Sequence, residues 1–162
     1  MGSEAMIVDL GCGDKMRGDV RIDRTKHGTT ATHVCWLGFE PIPLDDGVAD
    51  TVIAHDILEH VPWIVYGWKR GKWVEYRPGI FLMDEIWRIL KPDGLLDTHT
   101  PVAPNPEAFQ DPTHASFWTP LTPLYFTREH GLRERYAIKA CFRIVGHQVV
   151  GSYLNCAMRA VK

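Results

Sequence analysis

Met6-Ile-Val-Asp-Leu-Gly-Cys-Gly-Asp14 is an apolar run that passes directly into a glycine-punctuated turn. A buried parallel strand reads as a short apolar run. Two glycines one residue apart let the backbone turn sharply and approach a ligand where a Cβ would collide. Gly11 and Gly13 hold those positions. A G-x-G also marks ordinary turns, and Asp14 to Arg17 supply no third glycine of the full dinucleotide fingerprint. The next segment adds to the signal. Val20-Arg-Ile-Asp23 reads as a second strand ending in a carboxylate, the group that grips ribose hydroxyls in nucleotide-binding βαβ units.

Working outward, strands are expected near Met6 to Leu10, Val20 to Asp23, Thr32 to Trp36, Thr51 to Ala54 and Leu95 to Thr98. The clearest helix is Gly79 to Leu90, where Ile80, Met83, Ile86, Trp87 and Leu90 recur at helical spacing before Lys91-Pro-Asp-Gly94 stops it. Phe142 to Val150 and Leu154 to Val161 flank Gly151-Ser152 and read as a hairpin. Strands alternating with helical segments argue for an α/β fold, doubly wound, with a mostly parallel sheet and an antiparallel last strand.

Asp9-Leu-Gly-Cys-Gly13 and Asp23 resemble the first motif and the second-strand acid of the class I S-adenosylmethionine-dependent methyltransferases, in particular the small, single-domain, methyltransferase type 11-like members. Ile42 to His60 is similar to that family's approach to its fourth strand and the turn after it. Glu85-Ile-Trp-Arg-Ile-Leu-Lys-Pro-Asp-Gly94 is similar to its helix, tight turn and fifth strand. The resemblance spans nearly the whole chain. It implies a Rossmann-like fold, S-adenosyl-L-methionine as cofactor, and methyl transfer to an oxygen or nitrogen acceptor. It also implies that Asp9, Gly11, Cys12 and Gly13 face the methionine part and Asp23 the ribose, that Leu37 meets adenine through its backbone, and that His55 lies beneath the cofactor.

Three departures from the family stand out. Only the nine residues Gly11 to Asp19 separate the first two strands, where a parallel crossover usually takes a dozen or more. The first crossover helix is therefore expected to be shortened or absent. The helix that often precedes the first strand is expected to be absent as well. Cys35-Trp36-Leu37 stands where many relatives carry an acid for the adenine amino group. Trp36 either stacks on adenine or fills the core, the second reading being favoured. These departures support the alternative of a noncatalytic or partner-dependent binding protein that keeps the fold.

At 162 residues and a net charge of -2, the chain suits a single domain, 1–162, with no global basic field. Cys12, Cys35, Cys141 and Cys156 form no C-x-x-C pair and read as reduced, buried thiols of a cytoplasmic protein. No apolar run approaches the ~20 residues of a membrane helix, and no leader is expected at the start. Met1 to Ala5 is given no function.

Methyl transfer asks the protein mainly to position the acceptor, with a base where a hydroxyl or amine must lose a proton. His55 and Asp56 follow the fourth strand, at the edge where ligands of open α/β sheets sit. His55 reads equally as base or packing residue, and Asp56 as acceptor contact or cap of a helix starting near Ile57. Residues 101–127 are proline-rich and expected to form an ordered loop over the pocket. Within it His114 is a second base candidate with Asp111 as orienting partner, against a reading in which both make local turn and pinning bonds. Residues 61–79 hold Trp63, Tyr66, Trp68, Trp73 and Tyr76 among Lys69, Arg70, Lys72 and Arg77. Such a segment suits nucleic acid, sugars, a homodimer interface, or a lid whose aromatics cover the core. The eight histidines form no H-x-x-x-H pair, so no metal is expected.

Overall fold

The computed structural model describes residues 5–162. Residues 1–4, part of the stretch given no function, lie outside the described residues. Strands β1 (Ile7–Leu10), β2 (Val20–Asp23), β3 (His33–Val34) and β4 (Ala49–His55) are parallel neighbours in the order β3-β2-β1-β4. A two-stranded ribbon of β5 (Val65–Lys69) and β6 (Lys72–Tyr76) leads to helix α1 (Pro78–Ile89) and strand β7 (Leu90–Pro101). A short α2 (Leu132–Arg135) precedes the hairpin of β8 (Phe142–Val150) and β9 (Tyr153–Ala160). The sheet order is β3-β2-β1-β4-β7-β9-β8, with β7, β9 and β8 paired antiparallel. The mixed sheet and its antiparallel last strand are those expected of the doubly wound fold. No helix among the described residues is long and apolar enough to cross a membrane.

Strand register divides the sheet into two unlike faces. Val8, Leu10, Val52, Ala54, Leu96, Cys156 and Met158 are at most 1% exposed and join the core with Leu82, Met83, Ile86 and Ile89 of α1. Burying each such large side chain is worth about 1.5–3 kcal/mol. On the opposite face Thr51, Ile53, His55, Leu95, Asp97, His99, Asn155 and Arg159 are only partly covered. The connections between the first four strands contain no helix. The expected loss of the first crossover helix thus extends to the next two crossovers.

The tight β1-to-β2 return has a local cause. Gly18 turns at φ +74°, and a Cβ there would sit 2.7 Å from the Ile7 carbonyl oxygen. Asp19 N–H then donates to that carbonyl at 2.8 Å, and its carboxylate accepts from Ile7 N–H at 2.9 Å. These bonds return the chain along β1 without a helix.

Two expectations are corrected here. The helix expected near Ile57 is reduced to a single 3₁₀ turn, Leu58–His60, because Pro62 drives Val61 to its extended conformation. Asp56 accordingly caps nothing. The lid reading of 61–79 is corrected as well, since the segment contains a hairpin closed by Arg70 and Gly71 at φ 51° and 78°, the double positive φ of a type I′ turn. Tyr66, Trp68, Trp73 and Tyr76 lie on its surface, 41–69% exposed, instead of over the core. Trp63 does join the core, 5.1 Å from the Trp118 ring.

Trp63 also crowds the start of α1. A Cβ on Gly79 would stand 2.6 Å from the Trp63 ring. Gly79→Ala is expected to lose about 2 kcal/mol, within the range for overpacking, read as a lower denaturation midpoint at unchanged slope.

Candidate functional site

The ends of β1 to β4 open into one cavity of ≈ 340 Å³, lined by Gly11, Asp23, Arg24, Cys35, Trp36, Leu37, Phe39, Asp56, Ile57, His60, Val61 and Thr113. Strand order reverses between β1 and β4, so the cavity occupies the switch point at the carboxyl ends of the strands. Gly11 turns at φ +65° with its Cα hydrogens against Ile57, where a Cβ would meet the side chain at 2.6 Å. Asp23 is held by two backbone donors, Gly13 N–H at 3.1 Å and Arg24 N–H at 2.7 Å. Each of its oxygens retains lone-pair capacity for a further donor.

Trp36 corrects the core reading. It is 60% exposed on the cavity lip, 5.1 Å from the Phe39 ring, while Cys35 takes the buried place beside it. β3 is only two residues long, and the chain has left the sheet by Trp36. Its N–H donates to Glu40 at 2.9 Å, which fixes the turn that presents the indole.

Of the residues expected at the cofactor, Gly11, Asp23, Trp36 and Leu37 line this cavity, and Asp9, Cys12, Gly13 and His55 do not. Asp9 is fully buried and bound by Arg17 in two contacts, Nε to Oδ2 at 3.1 Å and NH2 to Oδ1 at 3.2 Å. Burial raises its carboxyl above the usual range despite the guanidinium. Arg17 also reaches His55 Nδ1 at 3.1 Å, and His55 Nε2 pairs with Asp97 at 2.9 Å. His55 thus belongs to a polar chain on the open sheet face. Gly13 bears on the cavity only indirectly, through its N–H on Asp23. Burial pushes the Cys12 thiol up, Cys35 to about 11 and Cys156 to about 12, so these thiols stay protonated and unreactive at neutral pH.

Asp56 lines the cavity in a left-handed conformation, φ 55°. Its Oδ1 lies 2.8 Å from His99 Nδ1, and the His99 ring stacks on Tyr153 at 4.4 Å. Asp56 is an expected acceptor contact, whereas His99 was not among the expected site residues. His99 falls just beyond the expected strand end, and its partner is reached only through the β4–β7 register that sets His55 beside His99. The one sequence cue is the alternation Leu95, Asp97, His99.

The 101–127 segment touches the cavity through Thr113. Asp111 Oδ1 accepts from Thr113 N–H and Oγ1 at 2.8 and 2.7 Å, and these bonds hold its carboxyl below the usual range. His114 Nδ1 is 3.0 Å from the Ala108 carbonyl, and its Nε2 is 3.9 Å from Asp111. Ala115 and Ser116 N–H both donate to Glu59 O. The local turn and pinning bonds are therefore present, and neither Asp111 nor His114 lines the cavity.

Sequence reasoning found no metal-ligand spacing, yet the fold gathers Glu59, His60 and His114 into one cluster. Glu59 is 3% exposed, and burial raises its carboxyl above the ordinary 4.5. A raised folded-state pKa adds stability below the unfolded value and loses it as pH rises through the folded one. Glu59→Gln keeps an oxygen for the Thr100 hydroxyl, now 3.0 Å away. In metal-free buffer its melting temperature, relative to wild type, is expected to rise from about pH 4.5 and to level off once the pH passes the folded-state value of Glu59. A difference that is flat with pH would contradict this.

No protein-family model and no curated protein matches the chain. Solved structures do. A chain of the complex between the Haloferax volcanii Trm112 methyltransferase activator and its methyltransferase superposes at TM-score 0.64 with 13% identity, over 96% of this chain and 82% of that one. The cyclase SpnF gives 0.62 and 14%, over 97% and 76%. The Burkholderia thailandensis 1,6-didemethyltoxoflavin-N1-methyltransferase, solved with its substrate and S-adenosylhomocysteine, gives 0.60 and 14%, over 98% and 72%. With strand order, mixed sheet and a cavity at the β1/β4 switch point all in agreement, the chain has the class I S-adenosylmethionine-dependent methyltransferase fold.

Proposed function

We propose that the chain binds S-adenosyl-L-methionine in the switch-point cavity and transfers a methyl group to an oxygen or nitrogen acceptor. The observation that carries this reading is the convergence of Gly11, Asp23 and Trp36 on one cavity at the strand ends. The residues fit the cofactor's chemistry. Asp23 offers a backbone-anchored carboxylate for ribose hydroxyls, and Trp36 with Phe39 offers ring faces for a purine. Gly11 lets the backbone approach where a side chain would intrude. When bound, the cofactor supplies a methyl group already activated by its sulfonium.

What remains for the protein is to orient the acceptor and receive its proton. An imidazole held by a carboxylate is a usual arrangement for that task, and His99 provides it, bonded to Asp56, which lines the cavity. His99 is the proposed base and Asp56 its positioning partner. His55, tied to Arg17 and Asp97, supports the sheet edge beneath them. The exposed Trp68–Trp73 pair, with Lys69, Arg70 and Lys72 at the ribbon tip, supports a nucleic-acid acceptor over a sugar or small molecule.

Incubation with tritiated-methyl cofactor and fractionated cell extract is expected to label one fraction and release S-adenosylhomocysteine. His99→Ala should lower the rate about 10²-fold or more with S-adenosylhomocysteine affinity retained. The bare sheet face and the Asp9–Arg17 pair favour a second reading, a binding protein that keeps the cofactor without turnover. Binding with no labelled fraction supports it.

A further inference from the structure

We propose that Glu59, His60 and His114 hold a divalent transition-metal ion of the zinc class beside the cofactor cavity. The three side chains come from two distant segments, and each offers a ligand atom within 4.8 Å of the others. In a tetrahedral site with bonds of about 2.0–2.2 Å, ligand atoms stand about 3.4 Å apart. Uptake of an ion would draw the three ligand atoms in from the 4.8 Å limit within which they stand.

The histidines are oriented as ligands. His114 Nδ1 faces the Ala108 carbonyl at 3.0 Å, and His60 Nδ1 faces the Thr113 carbonyl and hydroxyl at 3.3 and 3.0 Å. Donating Nδ1–H to a carbonyl leaves the Nε2 lone pair for a metal, the arrangement that fixes the tautomer of ligating histidines. The rings meet edge to face at 4.9 Å, which keeps the two imidazoles together.

Glu59 supplies the charge. It is 3% exposed and bonded by the Thr100 hydroxyl at 3.0 Å. Among the described residues no Lys, Arg or His forms an ion pair with it. A buried carboxylate without a cation is unfavourable, and a metal ion corrects that imbalance. Two imidazoles with carboxylate suit zinc or cobalt better than magnesium or calcium, which prefer all-oxygen sites. The ion would clamp residues 111–116 to the Leu58–His60 turn. That junction is already aligned by the Ala115 and Ser116 bonds to Glu59 O, and His60 and Thr113 line the cavity there.

The test is titration of chelator-treated protein with Zn²⁺ and Co²⁺, reading stoichiometry and the cobalt visible spectrum. Neither cofactor nor acceptor is present, so the result is independent of the methyltransferase reading. Wild type is expected to take up one ion per chain with an intense, tetrahedral-type cobalt spectrum. His114→Ala and Glu59→Gln, checked for native circular dichroism, should each bind roughly tenfold more weakly or worse, and the exposed-site variant His33→Ala as wild type. If His114→Ala fails to fold, His60→Ala, altering a less buried ring, takes its place. No stoichiometric uptake by wild type, or uptake unchanged in the cluster variants, would overturn the proposal and leave the cluster a polar packing contact.

Discussion

Asp23→Ala is expected to weaken S-adenosylhomocysteine binding by about 1.5–3 kcal/mol, roughly 10- to 150-fold, in a calorimetric titration. The carboxylate is fixed by Gly13 and Arg24 N–H groups, so its oxygens need no reordering when a ribose hydroxyl approaches. The substitution also frees Gly13 N–H, and part of the loss reflects a looser glycine turn. Asp23→Asn narrows the cause, because its one amide oxygen can still accept from Gly13 N–H while the charge and the bond from Arg24 N–H are lost. An intermediate loss for Asn is expected, and unchanged affinity in both variants would remove Asp23 from the site.

Arg17→Ala should be the most damaging single change to stability. Asp9 is fully buried, and Arg17 is its charged partner. Removing one member of a buried pair costs about 3–5 kcal/mol. About 3 is expected here, since Arg17 is 33% exposed and solvent screens part of the interaction. The sign with pH follows from Asp9, whose folded-state carboxyl lies above the ordinary 3.8 because of burial. A group raised in this way favours the folded state at acid pH, and that contribution is lost as pH rises through the folded value. Loss of Arg17 raises the carboxyl further. The penalty should therefore be large at about pH 7.5 and much smaller near pH 4. Urea midpoints at both pH values read it directly. Asp9→Asn placed on top of Arg17→Ala should restore stability at the higher pH, and an equal penalty at both would contradict the buried-charge explanation.

What could be read from the chain was local. Met6 to Asp14, Val20 to Asp23, the α1 stripe and the last hairpin each carry their signal within one continuous stretch, and each forms close to where it is expected. The site was legible only where a motif sits at a strand end, as with Gly11 and Asp23. Trp36 was left between stacking and core because burial depends on where β3 stops, and a two-residue strand leaves no periodicity to show it. His99 with Asp56, and Glu59 with His60 and His114, are contacts made by register and loop docking across many residues. The Arg70-Gly71 turn carries little signal because arginine is an unusual residue for a positive φ.

A crystal structure of the protein soaked with S-adenosylhomocysteine puts the proposed site to the sharpest test. The expected density fills the cavity bounded by Gly11, Asp23 and Trp36, with both ribose hydroxyls within about 3.2 Å of the Asp23 carboxylate and the purine against the Trp36 indole. A fully occupied ligand elsewhere on the molecule, or an unchanged cavity at saturating ligand, would contradict it.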